Sequence, residues 1–248
     1  TGTTYPGTTY ANGVIGTAFD FDGINGCVMN TNTPPLTNIQ NTFTIEFWAY
    51  PQKGFTILPE GGGDGLTDQS YAIFPDWAGF TGAAGAGVCV GTNGISVLEH
   101  ADNYLPSMLS YTNPLSGWVH VAVVYINKQP SLYVNGVKVR TGVQSSRSFV
   151  YPSKDLGSSH AVVLGFAHFD NYGPYKGLLD EVSIYDRARS AGEIQADYNA
   201  GAFGQAVSTQ LPFLDTDWDG LPDFWETTFG QNPTNASNNQ LSTNANYV

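Results

Sequence analysis

Residues 215–226, DTDWDGLPDFWE, place five carboxylates and no basic residue in twelve positions. Charges of one sign crowded this closely raise the cost of keeping each other ionised, unless a cation sits among them. The spacing says which cation. Asp215, Asp217, Asp219, the Leu221 carbonyl, Asp223 and Glu226 fall on positions 1, 3, 5, 7, 9 and 12 of a calcium loop, with Gly220 at the sharp turn. Hard oxygen donors without His or Cys select calcium over zinc, and a flexible shell of this size suits calcium better than octahedral magnesium.

Catalysis needs other constellations, and the sequence lacks them. A retaining glycosidase needs two carboxyls about 5 Å apart, most simply at i and i+4 on one strand. Glu46 has Tyr50 four residues on, Asp180 has Ile184, and Glu181 has Tyr185. His100, His120, His160 and His168 show no metal-ligand spacing, and no nucleophile elbow or phosphate loop is present. The expectation is a protein that is not an enzyme. In the Gly-rich EGGGDGLTDQ, Glu60, Asp64 and Asp68 are further oxygen donors for a cation.

Binding chemistry is better represented. Sugars stack C–H faces on aromatic rings while amides and carboxylates take their hydroxyls. FPDWAGF, with Asp76, Trp77 and Phe80, and HFDNYGPY, with His168, Asp170, Asn171, Tyr172 and Tyr175, combine both kinds of group. EHADNY, with Glu99, His100, Asp102 and Tyr104, is a weaker third. Each stretch also reads as a loop whose ring folds back onto the edge of the domain.

The elements that must carry these loops are β-strands. TFTIEFWAY alternates apolar Phe43, Ile45, Phe47 and Ala49 with Thr44, Glu46, Trp48 and Tyr50, which predicts a half-buried strand. GWVHVAVVYI is apolar throughout and predicts a central strand covered on both faces. Asn135-Gly136 between two apolar runs predicts a tight hairpin. Ten or more such strands imply a two-sheet antiparallel sandwich. One short helix closes it in SAGEIQADYNAG, where Ser190 caps, Glu193 bonds back and Gly201 is placed to end the helix in a left-handed conformation. Pro222 and Gly230 bracket a further short helix after the acidic loop. The implied organisation is a sandwich over 1–201, a connector over 202–214, and a calcium repeat with its tail over 215–248.

A formal charge of −12 argues against a nucleic acid or an anionic membrane surface as partner, since either needs a basic patch. The longest apolar run, WVHVAVVYI, is half of what a spanning helix requires. Low charge content with abundant Gly and aromatics suits an exported β-protein. The chain opens on TGTTYPG, which predicts a segment of a larger protein. Cys27 and Cys89 read either as one disulfide, slightly favoured, or as two buried thiols.

Four strings, GVIGTAFDFDGINGCV, FTIEFWAYP, GWVHVAVVYINKQPSLYVNGVKV and LLDEVSIYDRARSAGEIQADYNAG, occur in the order seen in laminin-G-like, concanavalin A-like jelly rolls of secreted bacterial proteins. The resemblance runs from Tyr10 to Gly201. It implies a thirteen- or fourteen-stranded jelly-roll sandwich that binds a polysaccharide, another glycan or a surface protein rather than catalysing. It also implies a structural calcium, for which Asp22 of FDFDG and Asp180 of LLDEV are the counterparts. The acidic loop with NPTNAS after it resembles thrombospondin type 3 repeats, with Trp218 departing from the small residue usual at the fourth loop position. Together these imply a calcium-stabilised carbohydrate-binding or adhesion module, or else a spacer of a large surface protein.

Overall fold

The computed structural model describes residues 2–30, 35–63, 68–75, 82–153, 162–165 and 173–202, together with 232 and 234. In chain order the strands are β1 (Thr3–Thr4), β2 (Thr8–Asn12), β3 (Thr17–Asp22), β4 (Val28–Met29), β5 (Phe43–Pro51), β6 (Tyr71–Ile73), β7 (Ala83–Gly91) and β8 (Gly94–His100). They continue as β9 (Ser107–Tyr111), β10 (Val119–Ile126), β11 (Gln129–Val134), β12 (Val137–Thr141), β13 (Phe149–Pro152), β14 (Val163–Leu164) and β15 (Lys176–Tyr185), before helix α1 (Ala191–Ala202). One sheet runs β12-β11-β10-β5-β15-β3-β2, all antiparallel. The other runs β1-β4-β14-β6-β7-β8-β9, with β13 added in parallel beside β7. The expected two-sheet sandwich is the architecture observed.

The core lies between the inner faces. Phe43, Ile45, Phe47 and Ala49 of β5 and Val119, Val121, Val123 and Tyr125 of β10 meet Val88, Val90, Ile95 and Val97 of the opposite sheet. Period-two alternation delivers this set to one side of each strand. Phe43 and Tyr125 stack at 4.7 Å where β5 and β10 pair.

β5 departs from the half-buried expectation, because its second face is also covered. Thr44, Glu46 and Trp48 are buried beneath α1 and the segment leading to it. The Thr44 hydroxyl donates to the Arg187 carbonyl at 2.9 Å and accepts the Arg189 amide at 3.0 Å, tying that segment down. β10 is buried on both sides as expected, with Ala122 and Val124 packed against Ile194 of α1.

Local signals perform as written. Asn135 and Gly136 both take positive φ, 50° and 77°, in the β11–β12 turn. The Ser190 amide donates to Glu193 Oε2 at 2.8 Å while the Glu193 amide donates to Ser190 Oγ at 3.3 Å, a reciprocal capping box. Gly201 differs from its expected role as a left-handed terminator. It lies within α1, against the Trp48 indole, where a Cβ would meet Nε1 at 2.5 Å. The slight preference for a disulfide is also overturned: Cys27 and Cys89 are free thiols, buried with Tyr71, Phe74 and Leu98. Burial pushes the Cys27 thiol up to about 11 and Cys89 higher still, so both behave as small apolar groups.

Candidate functional site

The calcium loop Asp215, Asp217, Asp219, Leu221, Asp223 and Glu226 lies outside the described residues, as do Asp76, Trp77, Phe80, His168, Asp170, Asn171 and Tyr172. Tyr175 is described, and it is not a ligand-facing ring. It is fully buried, packs edge-on against Phe21 at 6.0 Å and donates from Oη to the Leu178 carbonyl at 3.1 Å. The alternation that separates β15 from its preceding loop turns this ring into the core.

Asp22 and Asp180 are both engaged with backbone amides. Asp22 Oδ1 accepts the amides of Ile24, Asn25 and Gly26 at 2.8, 3.0 and 3.0 Å. Burial raises its pKa, but those hydrogen bonds outweigh burial and hold the carboxyl below its ordinary value. Asp180 is 6% exposed, and accepts the Ile15 amide on Oδ2 and the Glu181 amide on Oδ1, each at 2.9 Å. Asp22 pairs with Lys176, four residues before Asp180 on β15, which separates the two backbones by about 13 Å. They do not form one cation site. Glu60 is an ion-pair partner of Arg140 and accepts the Ser110 amide. Among the described residues no three His, Cys, Asp or Glu side chains converge as metal ligands.

The structure does assemble two features that no sequence spacing announces. The first is a cleft of about 460 Å³ in the open side of the sandwich, floored by Val28, Leu164, Leu179 and Ile184. Tyr10, 62% exposed on the edge strand β2, stands at its mouth with its ring 5.7 Å from that of Phe19. Thr4 and Thr17 add hydroxyls, and Asp180 and Glu181 border it where β15 slips register against β5. Glu181 takes φ 50°, a left-handed conformation that costs a non-glycine residue on the order of 1 kcal/mol. A bulge of this kind re-aims a strand beside a site. The volume is that of a small-ligand pocket.

The second feature is a buried polar cluster beneath α1. Glu46 Oε1 lies 3.0 Å from His120 Nε2, and Arg189 bridges Glu46 and Asp197. Burial first, then the Glu46 charge, hold Asp197 above the ordinary carboxylate range. Two carboxylates therefore do approach each other, from a strand and a helix rather than from i and i+4. Glu46 is 1% exposed and His120 fully buried, so no polysaccharide reaches them, and the cluster anchors the helix.

Two antiparallel sheets closed over one core, with a ligand-sized cleft at their open side, define a lectin-type jelly roll. The chain belongs to the concanavalin A-like lectin/glucanases superfamily, whose profile matches residues 24–195. No curated protein matches the sequence. Among solved structures it is similar to domain 4 of AbnA, a GH43 extracellular arabinanase from Geobacillus stearothermophilus, in complex with arabinotriose. The TM-score there is 0.53 at 19% identity over 79% of this chain and 86% of that one. The binding domain of botulinum neurotoxin serotype D gives 0.57 at 13% identity, covering 81% of this chain and 46% of that one. The binding domain of botulinum neurotoxin DC in complex with SialylT gives 0.55 at 12%, again with 81% and 46% coverage. The chain thus spans about half the length of the neurotoxin domains, and these likenesses concern the fold. Among the described residues no helix is long and apolar enough to cross a membrane.

Proposed function

We propose that this chain is a non-catalytic, carbohydrate-directed binding module of a secreted or cell-surface bacterial protein. The observation that carries the reading is the cleft beside Tyr10 and Phe19, which offers rings and aliphatic side chains to the C–H face of a sugar and threonine hydroxyls at its rim. The superfamily membership supports it. So do the fold neighbours whose structures hold arabinotriose and SialylT. Trp77 and Tyr172 remain proposed contributors by composition alone.

Calcium belongs to the proposal through residues 215–226, whose donor set is all hard oxygen and fits the ion. One divalent ion would lower the local charge from −5 to −3. The alternative is a spacer or protein-binding segment, and the neurotoxin DC binding domain solved with rat synaptotagmin II has the same fold at 12% identity.

A polysaccharide array probed with the chain in calcium, and again in chelator, tests the reading. A single cleft with one or two stacked rings should bind in the millimolar to micromolar range, about −4 to −8 kcal/mol. Tyr10→Ala should weaken binding about tenfold without loss of folding, because that ring is mostly exposed. An array with no responsive glycan in calcium would return the spacer reading, and turnover of any glycan would remove the word non-catalytic.

A further inference from the structure

On the outer face of the seven-stranded sheet, where α1 ends, lies a separate hollow of about 340 Å³ whose walls include Trp48, Trp118, Asn135 and Tyr198. Trp48 comes from β5, Trp118 immediately precedes β10, Asn135 opens the β11–β12 turn, and Tyr198 and Gly201 come from α1. Elements distant in sequence thus meet around one aromatic concavity, on the opposite face of the sheet from the cleft beside Tyr10.

The hollow is built for a ligand in three respects. Trp48 is only 4% exposed, yet its Nε1–H has no hydrogen-bond partner among the described residues. A buried donor left unmade is rare and asks for an acceptor. Asn135 has its orientation fixed, because Oδ1 accepts the His120 amide at 2.9 Å, and this leaves Nδ2 as a second donor at the rim. The rings are held in place: Tyr198 stacks on Trp48 at 5.7 Å and 22°, and Tyr50 packs edge-on against Trp118 at 5.7 Å.

We infer that this hollow is a second saccharide-ring site, an inference that rests on the carbohydrate-binding reading of the module. Trp48 Nε1 and Asn135 Nδ2 are both donors, so a ligand that meets them must bring lone pairs together with an apolar face. A sugar ring brings both, through its hydroxyl oxygens and its C–H face. A trimethylammonium group brings no acceptor, and a phosphate has no face to stack. With one site in the cleft and one on the outer face, a single module engages two chains, or two positions of one chain, and gains avidity without new contacts.

The experiment is an amide and indole N–H titration of the full chain with a panel of neutral oligosaccharides that includes arabinotriose. It is repeated in Tyr10→Ala to disable the cleft. The Trp48 indole resonance should shift with sugar in both proteins. Trp118→Ala and Asn135→Asp should each weaken that response about fivefold while leaving the cleft's response unchanged. Asn135→Asp keeps the Oδ1 acceptor and tolerates the positive φ, but exchanges the second donor for an acceptor. If sugar shifts cleft resonances and leaves the Trp48 indole unmoved, the second site is wrong and the module's function stands. If no sugar shifts any resonance, both readings fall. Should either variant fail to fold, the indole response of the unsubstituted chain decides.

Discussion

Glu99 shows what a single buried side chain does to this protein. It sits between the sheets, where it accepts the hydroxyls of Tyr104 at 3.0 Å, Tyr125 at 3.3 Å and Ser145, with the Arg147 guanidinium over the Tyr104 ring. Burial pushes its carboxyl up from 4.5 to about 7, against the lowering effect of those hydroxyls and Arg147. The folded state therefore holds a proton that the unfolded chain gives up. The stability this confers is fully present below pH 4.5 and is lost as the pH rises through 7, on the order of 3 kcal/mol in all. Denaturant midpoints of the wild type should fall across that window, and those of Glu99→Gln should fall less; parallel curves would show that Glu99 ionises freely. Only the Tyr104 hydroxyl is supplied within EHADNY, and the burial is not legible there, because the remaining partners arrive from residues 125, 145 and 147. Tyr175 fails for the same reason: a ring in an Asn- and Gly-rich stretch reads as exposed until the register of β15 turns it inward. The turn role of Asp22, by contrast, depends on amides two to four residues away and is readable in FDFDGING.

Among the elements, α1 is where local and tertiary demands conflict. Its start is fully written in sequence by Ser190 and Glu193, and the adjacent Arg187 guanidinium, pairing with Glu193, holds that carboxyl well below the usual range. Its end is not, because Gly201 serves the packing against Trp48 rather than a terminating turn. Gly192 and Gly201 therefore make a matched pair in one helix. A Cβ at Gly192 meets nothing within 4 Å, so Gly192→Ala should be neutral or stabilising by up to about 1 kcal/mol. At Gly201 the same atom would lie 2.5–2.7 Å from three indole atoms, and overpacking of about 1–3 kcal/mol exceeds the gain in helix propensity. Urea denaturation of the two variants should move in opposite directions. Stabilisation by Gly201→Ala would mean that the indole is free to move aside. The Asn135-Gly136 hairpin and the central strand β10 were readable because their signals are contiguous. Burial of the second face of β5 was not, since the covering segment at 187–194 lies about 140 residues away.

For the whole molecule, strand order decides where the sandwich is complete. β15 lies between β5 and β3, so the sheet closes only when a strand from the end of the domain inserts between two from its beginning. α1 then covers β10 and β11 through Ile194. Among the described residues, the last element that seals the core is α1, which ends at Ala202. The chain divides into compact units of residues 1–206 and 207–248. A chain ending at Ala206 should therefore keep the cooperative unfolding of the full protein and its affinity for sugar at the cleft. It should lose the calcium isotherm assigned to Asp215, Asp217, Asp219, Asp223 and Glu226, a loss that Asp215→Ala or Glu226→Ala in the full chain should reproduce as one site fewer by calorimetry. Retained calcium stoichiometry in the shortened chain would move the ion into the sandwich. Lost sugar binding with folding intact would place part of the recognition surface in residues 207–248.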